Sequence, residues 1–598
     1  MIALGTRRLC ALLLAAFIAA QAVPARATDA AAAAQDAALH ALFDERWEDL
    51  MQSYPEWATG VGDHRYGDRL VDASAEAEAA RFAATQRTLD RAMAIDRAAL
   101  SPVDQASLDI FVYELRDDLR FKPFVGYRSM SLSSQFGFQG EFSGLMEDVP
   151  MDTSAQARQL LSRMAAYPRR VDQELARLRE GLSLGWVAPR GVLERVLAQI
   201  DRQIDAPLDR SPFLEPFERL GSAIPAAERQ ALRDAARRAV QTQVLPAMRR
   251  LRDFVAGEYL AAAPASGALS GYPGGAEVYA AVVASQTTTQ LTPQEVHAIG
   301  LRELARLRGE MEAVMREMKF EGDFAQFVAY LNSDPKYFHA SAEALLAGYR
   351  DIAKRIDPEL PRLFAELPRA PYGVRAMPAH SDAERAEYYD GPALDGSRPG
   401  WFNANPQAFR TRPTWSMETL VAHEAVPGHH LAAARAVELG DLPKFRRSAS
   451  FTAYDEGWAL YAETLGFDLG LYKSPESRFG HLQWQAFRAA RLVVDTGIHA
   501  LGWSRRQAID FMVERTGVDA DFVASEVDRY TSSPGQALAY MIGELEILRL
   551  RDRARARLGD RFDIRRFHMV ILDQGPVPLP VLERAVDAWI SERLAARG

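Results

Sequence analysis

The chain has 598 residues, of which 48% are hydrophobic and 25% are charged. This composition is typical of soluble globular proteins and argues against a mainly disordered chain. The formal net charge of −9 argues against nucleic acid as the main partner, because proteins that bind nucleic acid usually present a basic surface.

The N-terminal residues have the pattern of a secretory signal peptide. Residues 7–8 are arginines, residues 9–20 form an apolar run, and residues 25–27 read Ala-Arg-Ala, a small-x-small cleavage pattern. We therefore predict a signal peptide at residues 1–27, cleaved after Ala27, and a periplasmic or secreted mature protein. The apolar run is short for a membrane span and no later window approaches one, so we expect no stable span in the mature chain.

Cys10 is the only cysteine of the chain, and it lies inside the predicted signal peptide. The mature protein would therefore contain no disulfide bond, no thiolate nucleophile and no zinc site built from cysteines. A cysteine-free exported protein suits an oxidising compartment, in which stray thiols are a hazard.

Helical patterns dominate the rest of the chain. The clearest begins at Thr292, a predicted N-cap, with Pro293 at the first helical position and Glu295 completing a capping box. Ser504 and Gln507 form a second capping pattern. Long amphipathic helices rich in Ala, Leu, Arg and Glu are also predicted within residues 38–120, 154–205 and 224–262.

These patterns predict a mainly α fold with a small β-sheet. The sheet is expected from residues 367–378 and 396–406, where turn residues surround short extended runs. We expect an N-terminal helical half over residues 28–262 and a second half with the chemistry over residues 263–598, which together form one continuous structural unit. A peptide substrate could add a strand to an edge of the small sheet.

The strongest functional signal is the stretch HEAVPGHH at residues 423–430. A catalytic zinc site typically uses three protein ligands, such as histidine and glutamate, and a neighbouring glutamate as base. In a continuous helix, His429 would lie ~9 Å along the axis from His423, and His430 ~10.5 Å. Neither histidine could then share with His423 a zinc ion whose bonds to nitrogen are about 2 Å long.

Pro427 and Gly428 change this expectation. Pro427 has no N–H to donate to the carbonyl group of His423 and its ring clashes there, while glycine adopts backbone angles that other residues resist. We therefore predict a bulge or break in the helix, which returns a later histidine to the metal. By this reasoning both His429 and His430 are candidates. The alternative is that these histidines cap a helix end or lie at the surface.

A third ligand is expected from the predicted helix at residues 451–466, which carries Asp455, Glu456 and Glu463 among aromatic residues. Glu456 and Glu463 are seven residues apart and therefore lie near the same helix face. The aromatic neighbours indicate partial burial, and a buried acid needs a partner. The alternative is that these are solvated acids on a helix surface.

Three motifs together resemble the bacterial family known as domain of unknown function 885. They are residues 423–430, the run DEGWALYAE that begins at Asp455, and the run RYTSSPGQALAYMIGELE at residues 529–546. The resemblance covers most of the mature chain and is strongest over residues 270–550. That family is similar to helical zinc metallopeptidases of the thermolysin-like superclass, the gluzincins. The resemblance therefore implies a metallopeptidase-like helical body and Zn²⁺ as the cofactor. We expect the small β-sheet to lie at the active-site cleft of this body.

The resemblance also implies roles for individual residues. His423 matches the first zinc ligand, Glu424 the general base, and Glu456 the glutamate ligand on a separate helix. In carboxypeptidases of the Taq type the second histidine follows a glycine, which points to His429 and leaves His430 as the second choice. The present motif departs from the shorter one by an insertion of two residues.

Further residues are candidates for contact with the substrate. Tyr540 lies where related helical peptidases carry a tyrosine, and it could donate a hydrogen bond to the oxyanion that forms during hydrolysis. Tyr530 is the weaker alternative for this role and, with His499, a candidate substrate-binding residue. The alternatives are a core tyrosine and, for His499, an ordinary helical pair with Asp495.

We expect a zinc-dependent hydrolase, specifically a peptidase that cleaves oligopeptides with a metal-activated water. Two alternatives stay open: a zinc hydrolase of other amides or esters, and a non-catalytic periplasmic protein with a structural metal site. A structural site would be closed by four protein ligands, whereas a catalytic site keeps one position open. The sequence leaves open the natural substrate, the choice between terminal and internal peptide bonds, and the oligomeric state.

Overall fold

The computed structural model of the protein describes residues 33–134, 137–377, 386–393, 396, 398–440 and 442–596. The predicted signal peptide and its cleavage site after Ala27 lie outside these residues. Helices dominate the described residues, and a small three-stranded β-sheet is present. The prediction of a mainly α fold with a small β-sheet is therefore confirmed.

The helices are numbered in chain order. The first eleven are α1 (33–53), α2 (Pro55–Gly60), α3 (Ala75–Met93), α4 (Pro102–Arg120), α5 (Val125–Arg128), α6 (Phe138–Asp148), α7 (Ser154–Ser183), α8 (Arg190–Asp205), α9 (Glu215–Glu218), α10 (Ala226–Ala239) and α11 (Leu245–Phe254). The next seven are α12 (Gly275–Thr287), α13 (Pro293–Glu317), α14 (Phe324–Ser333), α15 (Ala342–Ile356), α16 (Thr414–Glu424), α17 (His429–Glu438) and α18 (Lys444–Ser448). The last seven are α19 (Thr452–Thr464), α20 (Pro475–His499), α21 (Arg505–Thr516), α22 (Ala520–Ser532), α23 (Ala539–Leu558), α24 (Ile564–Leu572) and α25 (Leu579–Ala595). Among these described helices, none combines the length and the apolar character that a membrane crossing requires.

Both predicted capping boxes are present. At the start of α13 the hydroxyl of Thr292 accepts a hydrogen bond from the backbone N–H of Glu295 at 3.2 Å, and the Glu295 carboxylate accepts from the backbone N–H of Thr292 at 2.8 Å. Ser504 and Gln507 form the same pair of hydrogen bonds at the start of α21. Each box satisfies two backbone donors that a first helical turn leaves free, and this determines where the helix begins.

The small sheet is formed by β1 (Tyr372–Ala376), β2 (Tyr388–Asp390) and β3 (Gly400–Ala404). β3 is the central strand, parallel to β1 and antiparallel to β2. β1 and β3 lie within the two segments predicted to be extended. The sequence patterns do not predict β2, because three residues are too few to show an alternation of polar and apolar side chains. Helix α17 packs against β3.

The buried apolar side chains form two clusters. The larger is drawn from residues 39–115, Trp186 and residues 268–590. The smaller is drawn from residues 132–260. All of the helices that carry the predicted metal ligands belong to the larger cluster. The predicted division of the chain at residue 262 stays a prediction.

Helix α20 is buried along almost its whole length, and α13, α16 and α21 pack against it. A helix in this position is usually apolar on all sides. In α20, however, Arg488, Arg491 and Asp495 are buried. Because buried charged groups need partners, we expect this part of the core to contain groups that pair with the charged side chains of α20.

Helices α19 and α23 cross at two glycines. A β-carbon at Gly457 would lie 2.5 Å from the Cα of Gly543, and one at Gly543 would lie 1.9 Å from the carbonyl oxygen of Ala453. Only residues without a β-carbon permit this close approach. Because α19 carries Glu456 and α23 carries Tyr540, the crossing determines how near the predicted zinc ligand lies to the predicted oxyanion donor.

Replacing Gly543 with Ala should destabilise the protein, because the new β-carbon would have to displace the backbone of α19. We expect a loss of roughly 1–3 kcal/mol in the free energy of unfolding, the usual cost of overpacking, detected as a lower thermal midpoint by circular dichroism. Gly309→Ala in α13 is the matched control, because the space around Gly309 is open and alanine favours a helix by roughly 0.5–1 kcal/mol. Equal midpoints for the two variants would contradict the role of the glycine crossing.

Candidate active site

The helix that contains the HEAVPGHH stretch is interrupted in its middle. Helix α16 ends at Glu424 and α17 begins at His429. A β-carbon at Gly428 would lie 1.9 Å from the carbonyl oxygen of His423, so this path of the chain requires glycine. Across the break, the backbone N–H of His430 donates to the carbonyl oxygen of Ala425 at 3.0 Å. The break predicted from the proline and the glycine is therefore present.

The interruption brings His423, His429 and Glu456 together. Nε2 of His423 lies 3.6 Å from Oε2 of Glu456, and Nε2 of His429 lies 3.4 Å from the same oxygen. The three ligand-type atoms all lie within 4.8 Å of one another. The two imidazole rings are perpendicular, with centroids 4.9 Å apart. These side chains therefore surround a common point.

The chemistry of this cluster fits a divalent metal ion. Oε2 of Glu456 is buried and has no hydrogen-bond partner in the described structure. Burial alone would raise the pKa of Glu456, but the two imidazoles beside it lower that pKa well below its ordinary value. An ionised carboxylate and two imidazoles are the ligands that catalytic zinc sites commonly use.

A second carboxylate orients His423. Nδ1 of His423 donates to Oε1 of Glu463 at 2.9 Å, and Glu463 is fully buried. With Nδ1 protonated in this way, Nε2 carries the free electron pair and is available as a ligand. Carboxylate–histidine pairs of this kind hold the rings of metal ligands in position. Both carboxylates that contact His423 come from α19, at the spacing of seven residues seen in the sequence.

Glu424 is the last residue of α16, next to His423, and lines a cavity of about 560 Å³ together with the three clustered side chains. Its side chain is almost completely buried. Burial raises the pKa of Glu424 to about 8, and the negative charge of Glu456 adds to the effect. A carboxyl group with a raised pKa at the wall of a cavity is suited to proton transfer near neutral pH.

Tyr540 lies on the same cavity wall. Its ring is stacked on that of His423, with centroids 6.4 Å apart and an interplanar angle of 14°. Nε2 of Gln536 lies 3.5 Å from its hydroxyl oxygen. Burial raises the pKa of Tyr540, and the charge of Glu456 contributes. The neutral hydroxyl group is therefore available as a hydrogen-bond donor.

His430, the second-choice ligand, does not join the cluster. Its Nδ1 accepts from the hydroxyl group of Tyr389 at 2.8 Å, and its Nε2 donates to the carbonyl oxygen of Ala370 at 3.1 Å. Both ring nitrogens are therefore used, and the ring packs 4.7 Å from that of Tyr372. Burial lowers the pKa of His430 to about 4. This neutral histidine attaches α17 to the sheet.

The two candidate substrate-binding residues lie behind the cavity wall. His499 is fully buried, and its Nδ1 accepts from the backbone N–H of Leu269 while its Nε2 donates to the carbonyl oxygen of Tyr530 at 3.0 Å. The hydroxyl group of Tyr530 lies 3.0 Å from Nε of Arg491 and 3.1 Å from Glu526. Neither residue is part of the cavity lining. The structure therefore does not bring them to the clustered histidines.

A family model described as "Bacterial protein of unknown function (DUF885)" matches residues 55–586. The chain belongs to this family. The resemblance to it that the sequence motifs indicate is thereby confirmed.

Two solved structures share the fold. One, from Colwellia psychrerythraea and described as a "putative lipoprotein", is 26% identical with a TM-score of 0.84, over 93% of this chain and 99% of that chain. The other, a "putative lipoprotein of unknown function" from Shewanella oneidensis, is 18% identical with a TM-score of 0.74, over 91% and 98%. A "putative oligoendopeptidase F" from Bacillus anthracis str. Ames is 12% identical over 86% of this chain and 95% of that chain. Its TM-score of 0.26 is too low to indicate a shared fold. No curated protein matches the chain.

The cavity of this DUF885 protein also contains four arginines that sequence reasoning missed: Arg412, Arg488, Arg491 and Arg529. Arg412 pairs with Glu387 at 3.1 Å. A signal for two of them is present in the sequence, where arginines three residues apart stand in the otherwise apolar run "AFRAARLVV". Side chains at this spacing share one helix face, so a buried helix would direct both to one place.

Replacing His429 with Ala should abolish the binding of one equivalent of zinc, because the cluster would keep only two ligands. The matched control is His430→Ala, which should keep the metal, because both nitrogens of that ring bind other groups. The zinc content of each dialysed variant is measured by elemental mass spectrometry, and circular dichroism confirms that the variant is folded. Full zinc occupancy in a folded His429→Ala variant would refute the assignment of this ligand.

Proposed function

We propose that the protein is a zinc-dependent peptidase of the cell envelope that hydrolyses oligopeptides. The observation that carries this proposal is the convergence of His423, His429 and Glu456 beside Glu424 in the wall of one cavity. The three clustered side chains would hold the metal. The chemistry that zinc supplies in such a site is Lewis acidity, which acidifies water and polarises a carbonyl group.

Glu424 is the proposed general base and acid. One carboxylate oxygen accepts the proton of the attacking water, and the same group then delivers it to the nitrogen of the leaving amine. Little of the Glu424 side chain is exposed, and Glu424 is among the residues that line the cavity. Its place next to His423 in the chain keeps the carboxyl group beside the clustered ligands.

Tyr540 is the proposed donor to the oxyanion. Its hydroxyl group would donate a hydrogen bond to the carbonyl oxygen of the substrate as negative charge develops there. The stacked position of its ring on His423 supports this role, because it fixes the tyrosine beside the ligand cluster. His423 is in turn held by Glu463.

The position of the sheet supports a peptide as the substrate. In the described part of the chain β2 is an edge strand, and its residues Tyr388 and Tyr389 line the cavity. An extended peptide can pair with such an edge through backbone hydrogen bonds. Substrates of the broader alternative, a hydrolase of other amides or esters, pair with this edge only where they contain an extended peptide backbone.

The number of ligands supports catalysis over a structural role for the metal. Within the described residues the cluster contains three side chains of ligand type, and His430 binds other groups. A structural zinc site uses four protein ligands, whereas a catalytic one leaves a position open. The envelope location is supported by the predicted signal peptide and by the two similar structures described as lipoproteins.

Replacing Glu424 with Gln should preserve zinc binding and lower kcat by about 10²–10⁴-fold, the range attributed to general acid–base catalysis. Cleavage is measured with a peptide library, with and without a chelator. Glu310→Gln, exposed on α13, is the control and should keep full activity. Unchanged turnover in Glu424→Gln would exclude this residue as the base, and cleavage that resists the chelator would refute a metal-dependent enzyme.

Replacing Tyr540 with Phe should lower kcat by about 10²–10³-fold, as expected for the loss of one oxyanion donor. KM and the zinc content should stay close to those of the parent, because the ring and its packing on His423 remain. Steady-state kinetics and metal analysis give both values. An effect confined to KM would show that Tyr540 acts in substrate binding instead.

A further inference from the structure

The cavity contains buried guanidinium donors that the described residues leave unsatisfied. Nε and Nη1 of Arg488 and Nη1 of Arg491 are buried and have no hydrogen-bond partner there. Both arginines line the cavity, and each side chain belongs to a residue only 6% exposed. Buried donors on charged groups are costly when unpaired. Their presence at a cavity wall therefore points to a ligand that accepts from them.

The carboxylate nearest to Arg491 is already fully used. Glu526 accepts from Arg491 at 2.7 Å and from Arg529 at 2.9 Å. Tyr530 lies 3.1 Å away and donates to the same carboxylate oxygen. One negative charge thus balances two guanidinium groups, and one positive charge is left over at this end of the cavity.

Arg488 forms only one long ion pair and keeps open donors. Its Nη2 lies 3.6 Å from Oε1 of Glu463, an oxygen that already accepts a hydrogen bond from His423. Its guanidinium carbon lies 4.7 Å from the centre of the Trp484 ring. The aromatic ring holds the guanidinium group in place without satisfying its N–H groups. The two arginines together therefore form a preformed site for an anion.

The ring of Tyr540 contacts both this anion site and the predicted metal ligand His423. The guanidinium carbon of Arg491 lies 4.3 Å from the centre of the Tyr540 ring, and that ring is stacked on His423. An extended peptide advances about 3.3–3.6 Å per residue. These spacings place the guanidinium carbon of Arg491 no more than about 11 Å from the centre of the His423 ring, and an anion in contact with Arg491 takes up about 4 Å of that span. The remainder corresponds to one or two residues of an extended peptide.

We infer that Arg488 and Arg491 bind the C-terminal α-carboxylate of a peptide, so that the enzyme removes one or two residues from the C-terminus. This inference rests on the proposed peptidase function. Guanidinium groups match the geometry of carboxylates, and the C-terminal carboxylate is the one anion that every unmodified peptide carries. The subsite gives the enzyme selectivity for chain ends without a requirement for particular side chains.

The first experiment measures binding rather than turnover. Calorimetry measures peptide binding to the Glu424→Gln protein, once with zinc and once after chelation. Three acetylated peptides of equal length are compared: one that ends in Phe with a free carboxylate, the C-terminal amide of the same peptide, and an amide that ends in Glu. We expect the free carboxylate to bind about tenfold or more tightly than both amides in both metal states. Equal affinities would overturn the inference. Tight binding of the Glu amide would assign the site to side-chain carboxylates, and a preference that vanishes with the metal would assign the carboxylate to the metal.

Substitutions of single arginines test which residues form the carboxylate site. Arg488→Gln should reduce the preference for the free carboxylate about tenfold or more, and Arg491→Lys, which keeps the charge near Glu526, should also reduce it. Arg478→Gln is the control on the same helix, since Arg478 pairs with Glu317 at the surface, and it should keep the preference. Thermal unfolding checks that each variant is folded. A folded Arg488→Gln protein with the full preference would overturn the inference.

Product analysis separates this inference from the proposed function. Mass spectrometry should show that the parent enzyme releases one or two residues from the free-acid peptide and cleaves its amide at least tenfold more slowly. Binding selectivity without hydrolysis of any peptide would refute the peptidase proposal while supporting the carboxylate site. Hydrolysis at internal bonds, equally fast for acid and amide, would support the peptidase and overturn the C-terminal site.

Discussion

The proposed active site depends on one local constraint, the interruption between α16 and α17. A regular helix would separate His423 from His429 by more than a shared metal allows. The chain instead folds so closely on itself at Gly428 that a β-carbon has no space. Helix α19 supports this arrangement, because Nε1 of Trp458 donates to the carbonyl oxygen of Pro427 at 3.0 Å. The same helix carries Glu456, so one element both holds the interruption and carries the proposed third ligand.

The surroundings of the site are polar groups buried in an apolar core, and several of them are held by identified hydrogen bonds. Glu463 orients His423 from one side, and His430 attaches α17 to the sheet through Tyr389 on the other. The free energy needed to bury such groups is offset only when their hydrogen bonds are made. Some polar atoms at the site lack such a bond, among them Oε2 of Glu456, Oε2 of Glu463 and the open donors of Arg488 and Arg491. These are the places where a bound metal or ligand would stabilise the structure further.

The fold by itself does not specify this chemistry. The chain shares its architecture with structures described as lipoproteins, and its family is described as having unknown function. One fold can support many activities. The function must therefore be argued from the site: the three clustered side chains of ligand type, the buried Glu424, and a cavity whose arginines favour an anionic group.

The sequence alone determined the features that depend on local chemistry. The capping boxes at Thr292 and Ser504 marked helix starts, and the turn-rich segments located β1 and β3. Pro427 and Gly428 predicted a break, because a missing N–H and a missing β-carbon act on the residues next to them. The spacing of Glu456 and Glu463 predicted that both would lie on one helix face.

Only the tertiary structure decided which of these residues meet. His429 and His430 are adjacent and chemically identical, yet one lies beside Glu456 while the other uses both nitrogens elsewhere. The packing of α17 between the sheet and α19 separates them, and this packing involves residues far apart in the chain. Tyr540, Arg488 and Arg491 reach the cavity for the same reason. A helix face can be read from periodicity, but what that face meets depends on how distant helices pack.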